Sequence, residues 1–335
     1  MEEQRVRISD IAEELGLSTA TVSNVIHGKT KKISDETVKR VMELLDKRQY
    51  MPNMAGILMA QNPAKIIGVF VNDHPKYEGH TLEDFFISSS INHLSAEIDN
   101  SGHFMILKKT QNVDDIISFS AMWNMSGIVV IGFCEQDYTY LRNNMRIPFV
   151  VYDGFAATPG NFINITIDNF DGGYQMGAHF KELGHTKTLC ISDNDICIDR
   201  ERFEGFKEAF LPGNVSLLII PMEKNARMHF YKEHLEQIKN VTAIFAVSDY
   251  YAIDMIRFLN EQEINVPRDI SVAGFDDIPM CSLLHPTLTT IKQDGSLRAK
   301  LAIDNLLALK DNKDINTEIK LPVTLVARNS TKSCI

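Results

Sequence analysis

The sequence predicts an N-terminal all-α helix-turn-helix headpiece followed by an α/β core of two lobes, each built on a doubly wound parallel sheet. Three observations carry that prediction. Apolar residues recur at helical spacing on both sides of Gly16; from Ile66 onward near-continuous apolar runs alternate with amphipathic stretches; and the alternation starts afresh at Ile163. A chain of 335 residues exceeds one ordinary core and is expected to form about two or three domains.

The first helix is read from Ile8, Ile11, Ala12 and Leu15, with Gly16 supplying a left-handed turn. Ser18 is placed to cap a second helix whose Val22, Val25 and Ile26 point inward. In a helix-turn-helix the second helix enters the major groove, which makes the outward Thr19, Ala20, Ser23 and Asn24 candidate readers of base edges. A helical hairpin that merely packs has the same spacing. Ser34 is positioned to cap a third helix with Val38, Val41, Met42 and Leu45 on one face, closing a small three-helix unit. After Pro52, the segment Asn53 to Ala60 is too short to be a stable helix alone, since isolated helices below roughly 12–15 residues are marginal in water. It is either a plain linker or a helix that forms only against a partner.

Strand-like runs then follow at Ile66 to Val71, Phe104 to Leu107, Gly127 to Ile131 and Pro148 to Asp153, with a helix near Leu82 to Asp99. The second series opens with Ile163 to Ile167 and a helix closed by Gly184, and continues through Thr188 to Ile191, Leu217 to Ile220, Ala243 to Val247 and Ile270 to Gly274. Ligands of open parallel sheets bind beyond the carboxyl ends of the strands. Polar residues gather at those places: Asn72-Asp73, Asp153, Ser192-Asp193, Ser248-Asp249 and Asp276. Carboxylates and amides beside an Arg suit the adjacent hydroxyls of a sugar. Asp168, Asp249 and Asp276 are also placed to cap the helices after their strands, and Asp249 is assigned to capping. Tyr77, His80 and Phe85 lie in or near a long loop where an aromatic could stack on a sugar ring.

Charge and composition narrow the function. The net charge of −10 divides unevenly: residues 1–60 hold nine basic and nine acidic residues, leaving 25 basic and 35 acidic in the body. A body of that sign repels phosphate, so DNA affinity falls to local groups such as Arg5, Arg7, Lys29, Lys31 and Lys32, each of which also fits an ordinary solvated charge. Cys134, Cys190, Cys197, Cys281 and Cys334 are odd in number and widely spaced, as expected of reduced thiols. No stretch is apolar for the length of a membrane span and the acidic start is unlike a signal peptide, so a cytoplasmic protein without membrane partners is expected. The chain has no Gly-rich phosphate loop, no nucleophile-elbow pentapeptide and no zinc-binding His pair. A binding protein with no catalytic residue, metal or cofactor is expected.

The segment Ile8-Ser9-Asp10-Ile11-Ala12-Glu13-Glu14-Leu15-Gly16-Leu17-Ser18-Thr19-Ala20-Thr21-Val22-Ser23-Asn24-Val25-Ile26-His27-Gly28 resembles the opening of the LacI/GalR (lactose-repressor) family of bacterial transcription regulators. The likeness continues in Tyr50-Met51-Pro52-Asn53, Asp168-Asn169 with Gly172-Gly173, Leu183-Gly184-His185, Ser271-Val272-Ala273-Gly274-Phe275-Asp276-Asp277 and Leu288-Thr289-Thr290-Ile291-Lys292-Gln293, and covers essentially the whole chain. It implies a DNA-binding headpiece over residues 1–49, a hinge helix over 50–63 and a periplasmic-binding-protein-like effector core over 64–335. That core has an N-subdomain of about 64–165 and 292–322 and a C-subdomain of about 166–291 and 323–331, with lobe crossings near 165, 292 and 322. The implied DNA-binding residues are Thr19, Ala20, Thr21, Ser23, Asn24, His27, Lys29, Asn53 and Met59, the last an apolar wedge inserted at a base step by a hinge helix paired with its twin. The implied effector contacts are Asp153, Arg202 in the run Arg202-Phe203-Glu204-Gly205-Phe206, Ser248 where the family commonly has Asn, Asp276 and Gln293. A homodimer on a palindromic operator is implied, controlled by a small molecule, a sugar ahead of a nucleobase. The competing class is a sugar-binding receptor of a transport system on the same fold.

Overall fold

The computed structural model describes residues 6–26, 28–50, 64–154 and 162–334. The chain divides into two compact units, residues 1–62 and 63–335. The hinge segment with Asn53 and Met59, and also His27, lie outside the described residues.

In the first unit, α1 (Ile8–Leu15), α2 (Thr19–Ile26) and α3 (Asp35–Lys47) enclose a core of Ile11, Ala12, Val22, Val25, Val41 and Leu44. Gly16 takes φ +65°, and the amides of Gly16 and Leu17 return to the carbonyls of Glu13 and Ala12, which ends α1 and turns the chain. Ser18 Oγ accepts from the Thr21 amide at 3.1 Å and Ser34 Oγ from the Thr37 amide at 3.3 Å, so both serines cap as expected. Met42 is a correction. It is 54 % exposed, and Leu44 takes the inward place instead. Positions 38, 41, 44 and 45 form one stripe at 3.6 residues per turn, whereas 42 lies a hundred degrees round from 41.

The second unit holds two parallel sheets. The first comprises β1 (Ile66–Asn72), β2 (Phe104–Thr110), β3 (Gly127–Ile131), β4 (Phe149–Tyr152), β5 (Ile163–Ile167) and β11 (Glu318–Leu321) in the order β2-β1-β3-β4-β5-β11. Helices α4 (Phe85–Asn100), α5 (Val113–Met122), α6 (Glu135–Asn144) and α12 (Gly295–Lys310) belong to this lobe, with α4 and α12 lending Leu94, Ile98, Ala302 and Leu306 to its core. The second sheet is β6 (Lys187–Ser192), β7 (Asn214–Ile219), β8 (Ala243–Ala246) and β9 (Ser271–Ala273) in the order β7-β6-β8-β9. Around it lie α7 (Asn169–Glu182), α8 (Cys197–Phe210), α9 (Lys224–Glu233), α10 (Leu235–Lys239) and α11 (Asp249–Glu261). A small antiparallel pair, β10 (Thr290–Lys292) with β12 (Thr324–Val326), completes the strands.

The run Ile163 to Ile167, read as the opening of the second series, pairs instead with β4 and β11 in the first sheet, Val150 facing Ile163 and Ile319 facing Ile165. An apolar strand looks the same in either sheet; only its neighbours decide. The chain therefore leaves the first lobe after β5, returns between β10 and α12, and crosses again between β11 and β12.

Helices α7 and α8 touch backbone to backbone. A Cβ on Gly173 would sit 1.9 Å from the Arg202 carbonyl oxygen, and one on Gly205 would sit 1.9 Å from that of Phe170. No other residue fits either position. That crossing fixes where Arg202 stands.

Candidate functional site

Of the expected effector residues, Asp153, Ser248, Asp276 and Gln293 lie at or beyond the carboxyl ends of strands and Arg202 lies on α8; α12 adds a further cation. Asp153 follows β4 with φ +57°, and Asp276 follows β9 with φ +126°. Asp276 accepts from Gln293 Nε2, Gln293 Oε1 accepts from Arg298 Nη2, and Arg298 Nη1 lies 3.0 Å from Asp153 Oδ1. One polar network thus runs from the second lobe, through the β10–α12 crossing, to the first. It unites Asp153, Asp276 and Gln293 through a cation that the sequence reading passed over.

Arg202 is 4 % exposed, on the buried face of α8. Its Nε donates to Asn169 Oδ1 at 2.9 Å, its Nη1 to the Val247 carbonyl at 2.7 Å, and its guanidinium stands 3.8 Å over the Phe275 ring. Among the described residues it forms no ion pair with the neighbouring Asp199 or Glu201. Burial raises the Asp276 carboxyl well above the usual carboxylate range; Arg202 opposes the rise, while Asp249, Asp153 and Asp84 add to it.

Ser248 stands apart from this network among the described contacts. Its Oγ caps α11 by accepting from the Tyr251 amide at 3.4 Å. Asp249, expected in that capping role, is a correction: it is buried and accepts from Thr290 Oγ1 at 2.6 Å, the Ile278 amide at 3.0 Å and Cys281 Sγ at 3.1 Å. The extended backbone of Ser248, φ −145° and ψ 156°, is the cap geometry, and Asp249 is already inside the helix. Asp168 does cap, accepting from the Asp171 amide at 3.0 Å. Asp276 does not.

A second cluster gathers around Asp193, one of the strand-end residues singled out in the sequence, and adds Asn194, Asp199 and Tyr251. Asp193 accepts from Tyr251 Oη at 2.7 Å, and Asn194 Nδ2 bridges Asp193 Oδ1 and Asp199 Oδ2, each at 2.7 Å. Burial pushes Asp199 up to about 6 against the pull of Arg202, and the Asp193 charge adds to the rise. From the other lobe Lys76 reaches to 3.9 Å from Asp193, and Glu78 Oε1 accepts from the Lys224 amide at 3.1 Å. Tyr77 lies beneath the Lys76 ammonium, 5.2 Å from ring centroid to Nζ. His80 pairs with Glu83 at the surface and Phe85 is exposed, so neither joins the cluster.

The sequence did hold a signal for Arg298. Ala299, Ala302, Ile303 and Leu306 form the buried stripe of α12, and Arg298 falls on it. A charge on an apolar stripe needs a partner.

In the headpiece, Thr19, Ala20 and Asn24 are exposed, Thr21 and Ser23 half-buried, and the Thr21 hydroxyl is shared with Ser18 at 2.8 Å. Lys29 is exposed, its amide bonded to the Asn24 carbonyl. Among the described residues no group of His, Cys, Asp and Glu could hold a metal ion, and no helix is long and apolar enough to cross a membrane.

Residues 7–53 match the family model for bacterial regulatory proteins of the lacI family, and residues 178–331 match that for a periplasmic binding protein-like domain. The HTH-type transcriptional regulator MalR of Clostridium butyricum is 27 % identical over 342 residues, 97 % of this chain and 99 % of that protein. The HTH-type transcriptional repressor PurR of Aliivibrio fischeri (strain MJ11) is 28 % identical, over 96 % and 97 % respectively. Among solved structures, the Lac repressor dimer bound to operator and the anti-inducer ONPF superposes with a TM-score of 0.85 at 24 % identity, over 98 % of this chain and 100 % of that one. The transcriptional regulator CelR in complex with cellobiose gives 0.69 at 20 % identity, over 97 % and 100 %.

Proposed function

Because this chain is a member of the lacI family of bacterial regulatory proteins, a DNA-binding transcription regulator with a ligand-binding core, we propose that it acts as a homodimeric repressor on a palindromic operator under the control of a neutral sugar. One headpiece reads a half-site and two-fold symmetry supplies the other. Thr19, Ala20, Thr21, Ser23 and Asn24 face the bases, His27, Lys29 and Asn53 engage the flanks and the backbone, and Met59 wedges the minor groove.

The effector lies between the lobes against Asp153, Arg202, Asp276 and Gln293, while Ser248 contributes its hydroxyl from the start of α11. The observation that carries this reading is the network Asp276–Gln293–Arg298–Asp153, which joins both lobes at a crossing of the chain. A ligand that replaces or tightens those links has different contacts in the open and closed arrangements, which is what a shift between two states requires. The cellobiose held by CelR, on the same fold, supports a sugar over a nucleobase. A transport receptor, the competing class, has no use for α1 to α3. The cell interior is where such a regulator works.

The test is selection of duplexes from a random pool by the full chain at low salt, followed by titration of the enriched duplex with sugars and nucleobases. A two-fold symmetric consensus whose affinity changes with a neutral sugar is expected. No enrichment, or a consensus blind to every small molecule, counts against the reading.

A further inference from the structure

We propose that Arg298 is the specificity-determining residue of the interlobe cleft and that it selects an uncharged ligand with two adjacent hydroxyls; this rests on the effector site proposed above. Arg298 is 1 % exposed and Asp153, by side chain, 6 %. Of the three guanidinium nitrogens, Nη2 donates to Gln293 and Nη1 faces Asp153, but Nε has no partner among the described residues. The contact with Asp153 Oδ1 is ionic rather than directional, and that oxygen accepts no hydrogen bond. Among the described residues a buried donor and a buried acceptor are therefore left open on the two members of one ion pair. Buried polar groups in folded proteins almost always have partners.

The surroundings determine what can complete the pair. The guanidinium carbon stands 5.4 and 5.7 Å from the centroids of the Tyr152 and Phe86 rings, which attract the cation but cannot accept from Nε as an oxygen does. An oxygen that accepts from Nε, with a hydroxyl beside it that donates to Asp153 Oδ1, satisfies both atoms. Adjacent hydroxyls on a sugar offer such an acceptor and such a donor side by side. An anion at the same place accepts from Nε but meets the Asp153 carboxylate, which offers it no donor and repels its charge. Phosphorylated and carboxylated metabolites are thereby selected against.

The full-length chain and its Arg298→Met, Arg298→Lys and Asp153→Asn variants are titrated calorimetrically with ribose, glucose, cellobiose, glucose 6-phosphate and hypoxanthine. At least one neutral sugar is expected to bind the parent chain, and glucose 6-phosphate about tenfold or more weaker than that sugar. Arg298→Met, which keeps the volume and removes the donor, is expected to lower the affinity by about tenfold or more, and Asp153→Asn to do the same. Arg298→Lys restores at most part of it, since an ammonium cannot span both neighbours.

The proposal is overturned if glucose 6-phosphate or hypoxanthine binds as tightly as the best sugar, if no neutral sugar binds, or if Arg298→Met binds it unchanged. Circular dichroism establishes that each variant is folded; should Arg298→Met fail to fold, the Asp153→Asn titration decides. Failure of the parent chain to select any DNA duplex overturns the regulatory reading and leaves these titrations standing.

Discussion

A single side chain can look alike in sequence and differ wholly in duty, as Ser248 and Asp249 do. The serine caps α11, while the aspartate is buried under three donors. Arg202 is similarly committed, with Asn169 and the Val247 carbonyl holding two of its nitrogens. Arg202→Ala is expected to abolish the ligand response while leaving unliganded operator affinity within about twofold, as measured by fluorescence anisotropy with and without sugar. In the headpiece, Asn24→Ala is expected to relax base preference at one position of each half-site, because Asn reads adenine with a paired donor and acceptor; an unchanged consensus in pool selection rejects that role. Asp199 gives a pH signature. Its folded value near 6 exceeds the unfolded 3.8, so the folded chain binds the extra proton. The stability it contributes is complete below about pH 4 and is lost as pH rises through 6. The thermal midpoint of the parent relative to Asp199→Asn is therefore expected to fall between pH 4 and 7.

At the scale of elements, the contact of α7 with α8 is the most demanding. Gly173 and Gly205 admit the opposing carbonyls where any Cβ would collide, and Gly172 does the same for the Phe275 ring, with a Cβ only 2.6 Å away. Gly173→Ala is expected to destabilise the core by about 3 kcal/mol, read by chemical denaturation, and to weaken ligand binding in parallel because Arg202 moves with its helix. Equal stability with ligand binding intact disproves the coupling. The sequence presented Gly172-Gly173 as part of a motif, but nothing in local propensity explains glycine inside a helix, where it costs about 1 kcal/mol relative to alanine. The partner helix does. Likewise α3 was legible as a helix capped by Ser34, yet its inward face was misread at Met42, because a stripe three or four residues wide is settled by what packs on it.

On the whole molecule, the network Asp276–Gln293–Arg298–Asp153 links the two lobes beside a crossing of the chain, so a ligand bound there as proposed would act on the link between the sheets. If the hinge segment pairs in the minor groove as proposed, Met59→Gly is expected to weaken operator binding by about tenfold or more while sugar affinity stays unchanged, read by parallel anisotropy and calorimetry. Equal loss of both refutes a wedge role. The acidic body and neutral headpiece also predict a shallow salt dependence of operator affinity, because its slope scales with the number of phosphate contacts and few local cations make them.

The sequence alone determined the helix-turn-helix, its caps at Ser18 and Ser34, the alternation of strands and helices, and the concentration of polar residues at strand ends. These follow from periodicity and from local hydrogen bonding, which neighbouring residues settle among themselves. Only the tertiary structure decided that Ile163 to Ile167 joins the first sheet, that Asp249 is buried rather than capping, and that Arg298 ties Asp153 to Gln293 and Asp276. Those outcomes depend on which distant segments meet, and burial gives a charge its partners only after the chain has folded around it.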